Sequence, residues 1–260
     1  MSYERRYRPP RRHSAARRRR RRRRNYLLLL CLFLGAAVGL LSLLQRDVGE
    51  TEAEVAPESQ AEDSQIPAPV VKAYYTAAEL GLPTLTSARD ADGDGIDDYT
   101  DILLGARAYI ATDPYYESRY YEENDGYPND GCGVCTDVIW EALQAAGYDL
   151  KSLMDADIAA YPWAYPNIED ADPNIDFRRV ENQLIFLRRH AQSLTLSFDD
   201  PSQWQPGDIV VFEEHIAICS DRRNAAGVPF IIHHGNPIDG AVEADQMWKY
   251  VVVGHFRWNG

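Results

Sequence analysis

Thirteen arginines crowd into residues 1–24, and residues 26–44 directly behind them carry no charged side chain. That pairing constrains the chain more than any other feature. As a helix, the 19 apolar positions reach about 29 Å, close to the hydrocarbon thickness of a bilayer. The run exceeds the roughly 7–15 residues of a signal-peptide core, and no small-x-small cleavage site ends it. An uncleaved signal anchor is therefore expected. Arginines before such a span read as the positive-inside signal and not as a nucleic-acid contact. They keep the N-terminus cytoplasmic and send the rest outside.

Charge follows the same division. Residues 1–24 carry +12, and residues 45–260 hold the other 14 basic and 39 acidic groups, or −25. The net value of −13 for the 260-residue chain hides this separation. The expected organisation is a cytoplasmic tail (1–25), a single membrane span (26–44), an acidic stalk (45–72) and one extracytoplasmic domain (73–260). Glu50, Glu52, Glu54, Glu58, Glu62 and Asp63, with prolines at 57, 67 and 69, leave the stalk little to bury.

In the outer part, apolar residues recur with helical spacing over 97–110, 135–146 and 176–190, and a further helix is expected over 149–157. A short helix is expected over 74–80, ended by Gly81 and Pro83. Beyond residue 200 the period changes. Residues 208–212, 215–219, 228–233 and 250–258 are β-branched or aromatic runs divided by Gly, Pro, Asp and Asn. Helices first and an antiparallel sheet second give an α+β class. Nine of the sixteen tyrosines fall within 73–127 and read as packing between small helices and the sheet.

The acidic stretch from Asp90 to Asp101 has the spacing of a calcium loop. Asp90, Asp92, Asp94, Asp98 and Asp101 occupy positions 1, 3, 5, 9 and 12, Gly95 falls at the turn, and Ile96 offers its carbonyl. Aspartate stands at position 12 where glutamate is usual, so two-oxygen closure there is doubtful. The loop resembles those of EF-hand-like and dockerin-type repeats, in a single copy, and implies a structural Ca²⁺.

Cys135 opens an amphipathic helix after a polar Gly/Pro/Asn loop. Helix-end N–H groups favour a thiolate, and the polar loop predicts an accessible sulfur. His215 starts a strand, and His233 and His234 end the next. A cysteine at a helix start followed by strand histidines is the pattern of thiol hydrolases. Cys132 and Cys135 also form a Cys-x-x-Cys pair, which leaves open a redox role or a disulfide masking the nucleophile. Cys31 and Cys219 read as inert, and His255 as structural. Asp137 reads as a helix-start carboxylate and Asp208 as a turn former. Arg178 and Arg179 read equally as surface charge or as a substrate-carboxylate contact.

Gly-Val-Cys-Thr-Asp-Val (133–138), Pro-Asn-Ile-Asp-Phe-Arg-Arg-Val (173–180), Pro-Gly-Asp-Ile-Val (206–210), His-Ile-Ala-Ile (215–218), Ile-His (232–233) and Gly-His-Phe-Arg-Trp (254–258) together resemble the DUF1287 family. That family is similar to the NlpC/P60 papain-like cysteine peptidases and amidases. The resemblance spans roughly residues 98–258. It implies a papain-like arrangement of helices on an antiparallel sheet, with Cys135 as nucleophile, His215 as base and His233 orienting it. Family members have Ile-His-Asn where this chain has Ile-His-His, so His234 stands as the alternative third residue. Cleavage of an amide in cell-wall peptide is implied; the alternatives are a non-catalytic envelope-binding module or a Cys132–Cys135 oxidoreductase. No organic cofactor is expected, and the sequence leaves the oligomeric state open.

Overall fold

The computed structural model describes residues 72–260. The chain divides into two units, Met1–Pro67 and Ala68–Gly260, and the described residues fall in the second. The expected tail, the 26–44 span and the stalk through residue 71 lie outside them. Among the described residues, no helix is long and apolar enough to cross a membrane.

The domain is α+β. Four α-helices form: α1 (Asp98–Ala111), α2 (Cys135–Ala145), α3 (Leu150–Ala160) and α4 (Val180–His190). Two-residue strands β1 (Tyr115–Tyr116) and β2 (Cys132–Gly133) pair in parallel ahead of α2. The main sheet comprises β3 (Gln192–Ser193), β4 (Ile209–Phe212), β5 (Ile216–Arg223), β6 (Pro229–His234), β7 (Ala241–Ala244) and β8 (Val252–Arg257). Its strand order is β3-β8-β4-β5-β6-β7, antiparallel throughout.

Strand alternation sorts the core into two layers. Ile209, Val211, Ile216, Ile218, Ile232 and Phe256 pack with the helices. Val210, Phe212, Ala217, Cys219 and Ile231 pack with Trp204 and Met247 in a second cluster. Helices α1 and α2 lie close because Gly105 has no side chain. A Cβ there would stand 2.5 Å from Ala145 Cβ. Asp97 caps α1 by accepting the Tyr99 N–H. Gly147, at φ +82, turns the chain out of α2.

Three expectations change. The helix over 74–80 shrinks to a 3-10 turn, Ala78–Leu80, capped by Gly81 at φ 67. The helix over 176–190 breaks at Arg179, whose backbone is extended. The side chains of Asn182 and Gln183 take the Asp176 and Phe177 carbonyls at 3.0 and 2.8 Å, so side chains stand in for a continuous helix. Strand β7 was not expected, because all four of its residues are half-buried and show no alternation.

Candidate functional site

The loop before Cys135 is held by Asp137, which is fully buried. Its carboxylate accepts the Val134 N–H at 2.8 Å and the Trp140 indole N–H at 2.9 Å. Arg178 closes on it with two hydrogen bonds, 2.7 and 2.8 Å. A third Arg178 donor reaches the Arg119 carbonyl at 2.9 Å. Arg178 is thus a buried structural cation, neither surface charge nor a substrate contact. Such a pair is costly to break, because the surviving partner would be left charged and buried.

Cys135 begins α2, but its sulfur is not the exposed thiolate expected. The residue is 5% accessible. Burial pushes the thiol up to about 12, with the N–H groups of Ile216, Thr136 and Cys135 itself pulling the other way. Desolvation therefore outweighs the helix end. Ile216 directly follows His215, so its N–H brings the strand of the candidate base against the candidate nucleophile.

His215 Nε2 lies 2.8 Å from His233 Nδ1, with the rings edge to face. Tyr250 stacks on His215 at 4.7 Å between ring centres, and Phe212 lies beyond at 5.9 Å. The far nitrogen of His233, Nε2, and Gln246 Oε1 are both buried without a formed hydrogen bond, and they lie near one another. Burial lowers His215 to about 3 and His233 to about 4, so both rings are neutral near pH 7. No formed hydrogen bond joins His215 to Cys135; the polar contact of the His215 ring is His233.

His234 points to the opposite face of β6, as alternation requires. Its Nδ1 meets the Tyr109 hydroxyl at 2.9 Å, and its ring stands edge-on to Tyr116. Of the two neighbouring histidines, His233 is therefore the one beside His215. A cleft of roughly 350 Å³ opens at this rim, lined by Tyr116, Phe212, Glu214, His215, Lys249 and Tyr250. Nothing in the sequence singled out Tyr250 or Gln246. Tyr250 reads as part of a strand, and Gln246 lies in an unmarked connection.

The three described cysteines are free. The thiol of Cys132, raised by burial, faces the charges of Arg119, Asp130 and Glu117. Cys135 instead faces the Ile216 N–H and Asp137. The two sulfurs thus have separate surroundings. Cys219 is fully buried in β5.

A second histidine group lies away from the cleft. His255 Nε2 is 2.9 Å from Asp208, and its ring stacks on Trp204 at 3.7 Å. Arg257 gives Asp208 two more hydrogen bonds, 2.7 and 2.8 Å, and the Gln205 N–H a fourth at 2.7 Å. Asp208 does shape the entry to β4, and His255 is structural.

In the acidic loop, carboxylate oxygens of Asp90, Asp92 and Asp94 all lie within 4.8 Å of one another. Ile96 continues the turn, its N–H donated to Asp94 at 2.8 Å. Asp98 departs from the expected ligand set. Its carboxylate turns into the fold, accepting the Ala91 N–H at 2.9 Å and the Tyr148 hydroxyl at 2.5 Å. Asp101 is buried, and desolvation with the charges of Asp94, Asp92 and Asp90 raises it to about 6.

Fold and site together define an α+β domain in which a pair of hydrogen-bonded histidines borders an aromatic cleft at one end of an antiparallel sheet, with the N–H of Ile216 facing the helix-start cysteine. Residues 103–258 match the family described as a domain of unknown function, DUF1287, and the chain belongs to that family. It is 34% identical over 169 residues to the uncharacterized protein YijF of Escherichia coli (strain K12), a match covering 60% of this chain and 80% of that protein. No solved structure matches the chain. The family match begins after the acidic loop.

Proposed function

We propose that the domain is a papain-like cysteine hydrolase of the NlpC/P60 kind that cleaves an amide bond, with Cys135 as nucleophile and His215 as general base. One observation carries the reading. The chain segment that bears the His215–His233 pair continues directly into Ile216, whose N–H faces the sulfur of Cys135 at the start of α2.

The mechanism requires one arrangement of protons. His233 carries its proton on Nε2, the nitrogen on the side of Gln246, with which no hydrogen bond is formed. His233 Nδ1 then accepts from His215 Nε2–H. This leaves His215 Nδ1 as a lone pair, ready to take the thiol proton. The thiolate attacks the amide carbon, and its electron pair forms the C–S bond while the carbonyl oxygen becomes an oxyanion. The Cys135 N–H, at the start of α2, is the donor this mechanism assigns to that charge. The C–N bond breaks as His215 returns the proton to the leaving amine. Water, deprotonated by the same ring, then releases a carboxylate and restores the thiol.

Both groups rest neutral, so the thiol proton passes to His215 as the sulfur attacks the bound amide and not before. Residues 26–44 serve as a single membrane anchor with the N-terminus cytoplasmic, and they display the domain at the envelope, where cell-wall peptide is the substrate of choice. Protease added to intact cells should digest the C-terminal part; complete protection would overturn the topology. For the chemistry, the reduced full-length chain is incubated with purified peptidoglycan fragments and followed by mass spectrometry. Hydrolysis splits a fragment with the gain of one water, and Cys135→Ala abolishes it. Unchanged fragments would remove the cell-wall substrate. Labelling by a thiol-directed probe that persists undiminished in His215→Ala would remove the Cys–His mechanism as well.

A further inference from the structure

Three carboxylates of the loop that precedes α1 converge above a fourth in the first turn of that helix, and no cation among the described residues pairs with them. Asp90, Asp92 and Asp94 converge at the surface. Asp101, one turn into α1, lies beneath them and is only 6% accessible. Its Oδ2 is buried without any hydrogen-bond partner, and the charges pressing on it most are Asp94, Asp92 and Asp90. The nearest arginine in the sequence, Arg89, turns away and donates to the carbonyls of Asn259 and Gly260 at 2.6 and 3.1 Å. A buried, unpartnered carboxylate oxygen under the charge of three neighbouring carboxylates is a costly arrangement unless something positive offsets them.

We infer that Asp90, Asp92, Asp94 and Asp101 form a calcium site, and that Asp98 is not among its ligands. Hard carboxylate oxygens favour Ca²⁺ or Mg²⁺ over softer metals. Four anionic donors on a turn with glycines at 93 and 95 suit the larger, geometrically tolerant ion. Main-chain oxygens and water complete its shell. Asp98 has the position of a ligand in the sequence spacing, yet its two oxygens are spent on Ala91 and Tyr148. Asp98 is instead the strap that fastens the loop to the turn after α2. A Cβ on Gly147 would meet Asp92 Cβ at 3.0 Å, which marks how closely the loop packs there. The ion therefore ties the start of α1 to the C-terminal end of the helix that begins with Cys135.

The test is thermal unfolding of the full-length chain, stripped with chelator and then given Ca²⁺, Mg²⁺ or KCl at matched ionic strength. Calcium at about 1 mM should raise Tm by about 5 °C, while KCl should not. Calorimetry should count one Ca²⁺ per chain. Asp101→Asn should raise Tm in the stripped protein, because repulsion is relieved, and should abolish the calcium shift. Asp92→Asn with Asp94→Asn should abolish the shift too, and Asp199→Asn, at an exposed carboxylate outside the loop, should leave it intact. A full shift in Asp101→Asn, an equal shift with KCl, a response to Mg²⁺ but not Ca²⁺, or no heat at about 10 mM Ca²⁺ would each overturn the site.

Discussion

The domain buries histidines in two settings and equips them in opposite ways. His255 has a carboxylate, an arginine on that carboxylate, a backbone carbonyl at 2.8 Å and a tryptophan stacked on its ring. His215 has another neutral histidine and a tyrosine. By residue type alone, the Asp208–His255 pair looks more like part of a catalytic triad. Its geometry says otherwise, because Asp208 accepts four hydrogen bonds and the thiol nearest it, that of Cys219, is fully buried in β5. The His215 side leaves groups unsatisfied instead. His233 Nε2 and Gln246 Oε1 are both buried without partners. Unspent hydrogen-bonding capacity, and not the presence of an acid–base pair, separates the two settings.

The sharpest way to break this comparison is to damage each side and measure both stability and thiol reactivity. Asp208→Ala should cost about 3–5 kcal/mol in urea unfolding, because it leaves Arg257 charged and buried. Where the variant remains folded, its probe labelling at Cys135 should match the parent. His215→Ala should do the reverse, with labelling and turnover down by about 10²-fold or more and less loss of stability. Equal effects of the two substitutions on labelling would erase the distinction.

Acid provides the next contrast. The folded values of His215, His233 and His234 lie below the ordinary 6.5. Below that pH the unfolded chain binds protons that the folded chain refuses. Stability should therefore fall as pH drops from about 6.5 toward 4, by about 1.4 kcal/mol per unit for each of His215 and His233, with a further loss from His234. His215→Gln should flatten this slope by one histidine's share. An unchanged slope would mean that the ring is already charged in the native state. The thiol should show the complementary behaviour. Iodoacetamide modification of Cys135 should keep climbing from pH 7 past pH 9 without a plateau, whereas a plateau below pH 7 would reveal a resting thiolate–imidazolium pair. The smallest effect is expected from Gln246→Leu, about 1 kcal/mol in transition-state stabilisation, the worth of one neutral hydrogen bond.

The sequence makes the principal helices and main strands visible because their apolar positions keep a clean period. Residues 97–110 and 208–212 both return with ends shifted by one residue. What it hides depends on contacts across the chain. Arg178 reads as surface charge or a substrate contact because its partner, Asp137, lies 41 positions away. Asp98 fits the spacing of a metal loop, yet a tyrosine 50 residues later captures its carboxylate. Helix-end arguments anticipate an open thiolate at Cys135, but the β5 backbone closes over it. His233 and His234 are alike in sequence, and only strand parity sends one to His215 and the other to Tyr109.

The first described residues have a mechanical consequence. Tyr75 exchanges two backbone hydrogen bonds with Arg223, both 2.8 Å. Arg223 is the last residue of β5, the strand that begins just after His215. The Arg223 side chain is locked to the carbonyls of Gly227, Pro201 and Trp204. Any tension arriving through the chain before Lys72 is thus handed to the sheet at the far end of β5, about 26 Å along the strand from the histidine. After the exposed Lys72–Glu79 ion pair, the two bonds at Tyr75 are the first backbone pairing with the sheet to take that load among the described residues. They act as a mechanical fuse that would unfasten the leading segment before strain could travel along the strand to the cleft.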